Sequence, residues 1–202
     1  MLKKSGMLNH TRLFIYHIKG FGIYNDRFYC KGVRRKVSTI RLAGIIRESF
    51  TDGIGIRYVA FTQGCEHNCP NCHNPETWDF DGGTDYNIDD IISDILENPL
   101  LDGVTISGGD PLYRTGEVLE FIKAIKDNTS LNIWLYTGFT YEECLLDKDK
   151  HEVLRHIDVL VDGEYRHELR NLSLRFRGSS NQRVIDVQKS LSSGNIELFI
   201  AD

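Results

Sequence analysis

Four short apolar runs, each stopping at or just before a glycine, set the frame of the chain: Ile56 to Thr62, Asp102 to Ser107, Asn132 to Thr137 and Ile157 to Val161. Helical patterns lie between them. Asn87 has the form of an N-cap ahead of Ile88, Ile91, Ile92, Ile95 and Leu96, with Asp89, Asp90 and Asp94 on the opposite side, a solvated face. Val118, Phe121, Ile122 and Ile125 repeat the spacing. Thr140-x-x-Glu143 reads as a capping box opening a third helix, in which Cys144 is expected as a buried thiol. Strands alternating with helices predict βα units around a mainly parallel sheet, with functional residues beyond the strands' C-terminal ends. At 202 residues the chain is too short for the eight units of a closed barrel of about 250, so the expected fold is α/β, a partial (open) βα barrel. Val37 to Ile46 reads as a further β-rich run. Phe176 to Val187 fits either a loop edging an active site or a turn between strands.

The first of the four runs delivers Cys65-x3-Cys69-x2-Cys72, three of the five cysteines within eight residues. Soft thiolates suit zinc or an iron-sulfur cluster. A structural zinc site closes with four protein ligands, and His67 or His73 lies near enough in sequence to complete one. A cubane held by three thiolates instead leaves one iron open. The spacing alone admits both. Crowded cysteines in odd number point to a reducing, cytoplasmic setting and a metal or redox role, not a disulfide framework. No apolar run is long enough to span a bilayer, and the short N-terminal apolar pieces interrupted by charge do not read as a signal peptide.

The formal charge of −5 is unevenly spread. Residues 1–36 carry nine Lys/Arg against Asp26, a formal +8, leaving −13 on residues 37–202. The chain is therefore read as a basic N-terminal extension (1–36) of unassigned role followed by one functional domain (37–202). Such an extension can meet nucleic acid, meet an acidic partner, or dock on its own domain, the last or plain solvation being the simplest option. Its Phe14-Ile15-Tyr16 and Phe28-Tyr29 clusters argue against a wholly disordered tail.

Ser107-Gly108-Gly109-Asp110 at the end of the second run, together with the three cysteines, resembles the radical S-adenosylmethionine family. The resemblance implies a 4Fe-4S cluster on Cys65, Cys69 and Cys72 with one open iron, and S-adenosyl-L-methionine as cofactor. It places the cofactor along Asn71, Cys72 and His73 and against Gly108, Gly109 and Asp110, where many relatives have Glu, with Thr137 as a further contact or a structural hydroxyl. His67 then needs no metal and is expected exposed on its loop.

Asp52-Gly53-Ile54-Gly55-Ile56-Arg57 is similar to the D-G-P-G-x-R signature of glycyl-radical-enzyme activases, with Ile54 at the usual proline. Asn74-Pro75-Glu76-Thr77-Trp78, Val161-Asp162-Gly163 and Arg177-Gly178-Ser179-Ser180-Asn181-Gln182-Arg183 look like those of activases serving an anaerobic ribonucleoside-triphosphate reductase. As partners this implies the reductase large subunit, whose reacting glycine is met at a partner-binding surface edged by Arg177 to Asn181, and a low-potential donor such as flavodoxin or ferredoxin. Neither membrane nor nucleic acid is expected. Hydrogen-atom abstraction needs no general acid or base, so Asp110 and Asp162 are expected to orient. The alternatives are an activase of another glycyl-radical enzyme, of formate-lyase type, a small radical enzyme acting on a free metabolite, and a zinc-holding interaction module.

Overall fold

The computed structural model describes residues 21–24, 27–30 and 38–199. Within the first 36 residues, β1 (Phe21–Tyr24) and β2 (Arg27–Cys30) pair antiparallel, Phe21 opposite Cys30. Phe28 and Tyr29 fall in β2, and the Phe14-Ile15-Tyr16 cluster lies outside the described residues.

The second unit, from Val37 onward, is built on a seven-stranded sheet. Its strands are β3 (Thr39–Ser49), β4 (Arg57–Thr62), β5 (Thr84–Asn87), β6 (Gly103–Gly108), β7 (Asn132–Tyr136), β8 (Val159–Asp162) and β9 (Arg183–Asp186), in the order β5-β3-β4-β6-β7-β8-β9. β4, β6, β7 and β8 are mutually parallel, while β3 pairs antiparallel with both β4 and β5, and β9 runs antiparallel to β8. Five strands therefore point one way and two the other, in a mainly parallel sheet that stays open between β5 and β9, as the βα rhythm predicts.

Period-two alternation sorts the strand residues onto two faces. Tyr58, Ala60, Val104, Ile106, Ile133 and Leu135 join one buried core with the helices. There α1 (Ile88–Leu96) buries Ile88, Ile91, Ile92 and Ile95, and α2 (Thr115–Asn128) buries Val118, Phe121, Ile122 and Ile125, the faces that the spacing marks. Each such side chain removed from water stabilises the fold by about 1.5–3 kcal/mol before entropy is counted. Asn87 accepts from the Asp89 amide, and Thr140 and Glu143 form the reciprocal capping box of α3 (Tyr141–Leu146), with Cys144 fully buried.

Four elements were not singled out in the sequence reading. β5 is a polar edge strand just before α1. α4 (Lys148–Leu154) starts afresh on Asp147, whose carboxylate accepts from the Asp149 and Lys150 amides. β9 and α5 (Val187–Ser193) follow a polar strap, residues 164–182, that crosses the other face of the sheet; there Phe176 packs edge-on against Trp134, 5.2 Å between ring centroids.

The Asp52-to-Arg57 motif lies at the N-terminal ends of the strands. Arg57 is fully buried and donates to Thr105 Oγ1 (2.6 Å), the Val104 carbonyl (2.7 Å), Asn132 Oδ1 (2.9 Å) and the Ile54 carbonyl (3.1 Å), with Trp134 5.2 Å below its guanidinium. Burial pulls its pKa down to about 10. Gly53 has φ 137°, and a Cβ there would stand 2.6 Å from the Arg57 side chain, so the turn over the arginine requires glycine.

Candidate metal and cofactor site

At the opposite end, about 17 Å along β4 at 3.3 Å per residue, Thr62 leads into the cysteine loop. Its two stems are zipped together by Gly64 N to the Thr77 carbonyl (2.7 Å) and Cys65 N to the Trp78 carbonyl (3.1 Å). The end of β6 joins them through Gly109 N to the Thr62 carbonyl (2.8 Å) and Asp110 N to the Gly64 carbonyl (2.9 Å). A Cβ on Gly108 would stand 2.5 Å from Thr62 backbone and one on Gly109 2.5 Å from the Gly64 carbonyl oxygen. The glycines are thus required by the chain's own close packing, a reason additional to the cofactor approach that the resemblance implies.

Cys65, Cys69 and Cys72 line one cavity of about 160 Å³, together with Gly108, Gly109 and Thr137. All three thiols are half-buried and free, and the Asn74 amide donates to Cys72 Sγ at 3.4 Å. Burial pushes the Cys65 thiol up to about 11 and raises that of Cys69. Among the described residues, no lysine or arginine lines the cavity to offset that; a bound metal centre would supply the positive charge that favours the thiolates. Cys144, in the helical core and raised to about 12 by burial, lies apart from this cavity.

The histidines are otherwise engaged. His67 is not exposed: its side chain is 9% accessible, with Nε2 2.7 Å from Asp110 Oδ2 and Nδ1 3.2 Å from Glu164 Oε1. Burial opposes its charged form, but hydrogen bonds and charge from Asp110 and Glu164 outweigh burial and raise its pKa. His73 tilts its ring against Tyr165, 4.8 Å between centroids. Three thiols around one cavity fit a cubane with an open iron; both ring nitrogens of His67 are taken, while His73 lines the cavity with its ring against Tyr165.

Other expected contacts are redistributed. The Asp110 carboxylate is fully buried and accepts from the Leu112 amide, Thr137 Oγ1 and the Gly138 amide besides facing His67. Its lone pairs are committed to the protein, so it positions the strand ends and is not an outward-facing acceptor. Thr137 lines the cavity but gives its hydroxyl to Asp110 at 2.8 Å, the structural role. Asn71 is exposed in the left-handed region, φ 57°, and its side chain is outside the cavity lining, while Cys72 and His73 are within it. Asp162 orients, as expected: buried, it accepts from the Tyr141 amide and pairs with Arg183.

The sequence reading missed Asn74, Trp78, Tyr136, Tyr165 and Gln182 as lining residues. Tyr136 was within reach of the strand alternation, being one residue before Thr137; Tyr165 and Gln182 carry no local signal. Gln182 shapes the strap, its Oε1 accepting from the Gly178 amide and its Nε2 donating to the Gly163 carbonyl, both at 2.9 Å.

A three-thiol cavity at the C-terminal strand ends of an open α/β sheet fits the class of iron-sulfur proteins of the radical S-adenosylmethionine type. Residues 51–185 match the family model described as a 4Fe-4S single cluster domain. Curated relatives are the anaerobic ribonucleoside-triphosphate reductase-activating proteins of Haemophilus influenzae (37% identical over 142 residues, 66% of this chain and 89% of the relative) and Enterobacteria phage T4 (34% over 140 residues, 67% and 86%). That of Escherichia coli K12 is 36% identical over 140 residues, 66% of this chain and 90% of the relative. Among solved structures, QueE from Escherichia coli overlaps 50% of this chain and 54% of its own at 15% identity and TM-score 0.38, too slight a likeness to carry an argument. The chain belongs to the family of anaerobic ribonucleoside-triphosphate reductase-activating proteins, enzymes that use a 4Fe-4S cluster and S-adenosyl-L-methionine.

Proposed function

We propose that this chain activates an anaerobic ribonucleoside-triphosphate reductase by generating a radical on a backbone glycine of the reductase large subunit. The observation that carries the proposal is a continuous path. The cysteine cavity shares His73, Asn74, Ser107, Tyr136, Tyr165 and Gln182 with a second cavity of about 480 Å³ on the inner face of the sheet, under the strap. A polypeptide turn entering beneath the strap can therefore reach the thiol end without unfolding the body.

When bound, the cluster and S-adenosyl-L-methionine would supply the one-electron radical chemistry that removes the glycine Cα hydrogen. The electron comes from a low-potential donor such as flavodoxin or ferredoxin. Cys65, Cys69 and Cys72 hold the cluster. Gly108 and Gly109 present bare backbone to the cofactor, Cys72 and His73 flank it, and Asn71, through its backbone alone, sets the turn into Cys72. Tyr136 and Trp78 exclude water from the inner wall. Asp110 and Asp162 move no proton; they hold strand ends in register.

The test is anaerobic mixing of the reconstituted chain, reduced flavodoxin, S-adenosyl-L-methionine and the reductase large subunit, read by electron paramagnetic resonance. A glycyl-radical doublet with the reductase is expected. A doublet arising only with a formate-lyase-type partner would overturn the choice of partner.

A further inference from the structure

We infer that His67 is a positioning residue that fixes the cysteine loop against the cofactor-bearing strand ends. The inference rests on the cluster assignment above and concerns a residue that is no metal ligand.

The tip of the loop has few ties to the body. Of residues 66–73, Asn68 bonds back to the Glu66 carbonyl and Cys72 N to the Cys69 carbonyl, both within the loop. Among the described residues, the side-chain hydrogen bonds that carry this tip onto the strand ends are those of the His67 ring, beside a backbone contact from Tyr165 to the Cys69 thiol. The ring's bonds reach Asp110, beyond β6, and Glu164, beyond β8. The same Asp110 oxygen accepts from Gly138 N at 2.9 Å, beyond β7, so one imidazole gathers three consecutive strand ends.

Packing fixes the ring in that place. Phe139 meets it edge-on at 4.7 Å and Tyr113 tilts against it at 5.4 Å, while a Cβ on Gly138 would stand 2.6 Å from the ring. His67 lies two residues from both Cys65 and Cys69. A displacement of the ring therefore swings two of the three thiols relative to Gly108, Gly109 and Thr137, which belong to the rigid sheet. Groups hydrogen-bonded directly to a metal's ligands typically alter affinity or activity 10- to 100-fold, and the His67 ring, tied to the cysteines through two residues of chain, is expected at the lower end of that range.

The experiment compares the full-length wild type with His67→Ala and His67→Gln after anaerobic reconstitution. Three readouts are followed: iron and sulfide per chain, midpoint potential of the cluster, and the change in the reduced cluster's paramagnetic resonance as S-adenosyl-L-methionine is titrated. His67→Ala is expected to keep the wild-type iron and sulfide, since the thiols remain. Its midpoint potential should fall, because the buried Asp110 loses its covering donor, and half-saturation should need roughly tenfold more cofactor. His67→Gln, which retains a donor able to reach Asp110, should recover most of both.

An alanine variant with wild-type potential and half-saturation would overturn the assignment. So would loss of iron from both variants with an unchanged melting temperature of the metal-free chain, which would make His67 part of the cluster's own holding set. Should His67→Ala not fold, Gly138→Ala presses on the same ring and is expected to shift the potential; no shift there sinks the idea. A wild type that loads iron and sulfide yet never responds to S-adenosyl-L-methionine would instead sink the proposed function, and the potentials would still decide the role of His67.

Discussion

The two ends of the parallel strands are built on opposite terms. At the N-terminal ends a buried arginine has acceptors from β6, β7 and the Ile54 turn around it, with an indole beneath. At the C-terminal ends three thiols face a cavity, with the Asn74 amide donating to Cys72 Sγ and no side-chain partner among the described residues. Polar groups answered within the chain stabilise it; those left facing space are available to something else. The contrast separates the half of the domain that holds the fold from the half that holds the chemistry.

The contrast breaks if mutations at the two ends act alike. Cys69→Ser should show the largest effect, loss of S-adenosyl-L-methionine cleavage by three orders of magnitude or more, roughly what removal of a whole catalytic centre costs. The melting temperature of the metal-free variant should stay within a few degrees of wild type; a large drop there would show that the thiol end carries stability too. Arg57→Met should do the reverse, destabilising the metal-free chain by about 3 kcal/mol in urea, because it leaves several buried acceptors unpaired. Iron uptake by the fraction that remains folded should be normal.

Two smaller effects sharpen the comparison. Gly53→Ala forces a side chain into a φ of 137° against Arg57 and should cost about 1–3 kcal/mol, with the cluster's resonance spectrum unchanged. Glu142→Gln tests the rim while leaving Arg183 on the buried Asp162. The hydrogen bond from Arg183 holds the Glu142 carboxyl below the usual range despite some burial. A depressed carboxylate contributes stability above its unfolded pKa and loses it as pH falls through the folded value. Stability of the metal-free wild type should therefore fall more steeply than that of the variant below about pH 4.5, by less than about 1 kcal/mol in all because the pair is largely exposed.

What could be read in the sequence was whatever a stretch of chain decides locally. The buried faces of α1 and α2, the Asn87 and Thr140 caps and the three-cysteine spacing all lie within a few turns. The pairings that shape the site do not: His67 meets Glu164 across 97 residues and Asp110 across 43. Nothing near His67 announces either, and its position between two cysteines in a loop suggests exposure. Asp110 was legible as an orienting residue, but its donors were not, since Thr137, Gly138 and His67 reach it from other strand ends. The strap stayed ambiguous because its order depends on Gln182 reaching back to Gly163, a contact with no periodic signature.

The direction of β9 also matters. Because it returns against β8, no further parallel unit can be added on that side, and β5 ends the other margin. Among the described residues, the reaction chamber has no wall beyond these two margins. Under the proposed function that wall is the reductase itself, which would make dryness a joint property of two proteins and tie safe radical formation to the moment of their docking.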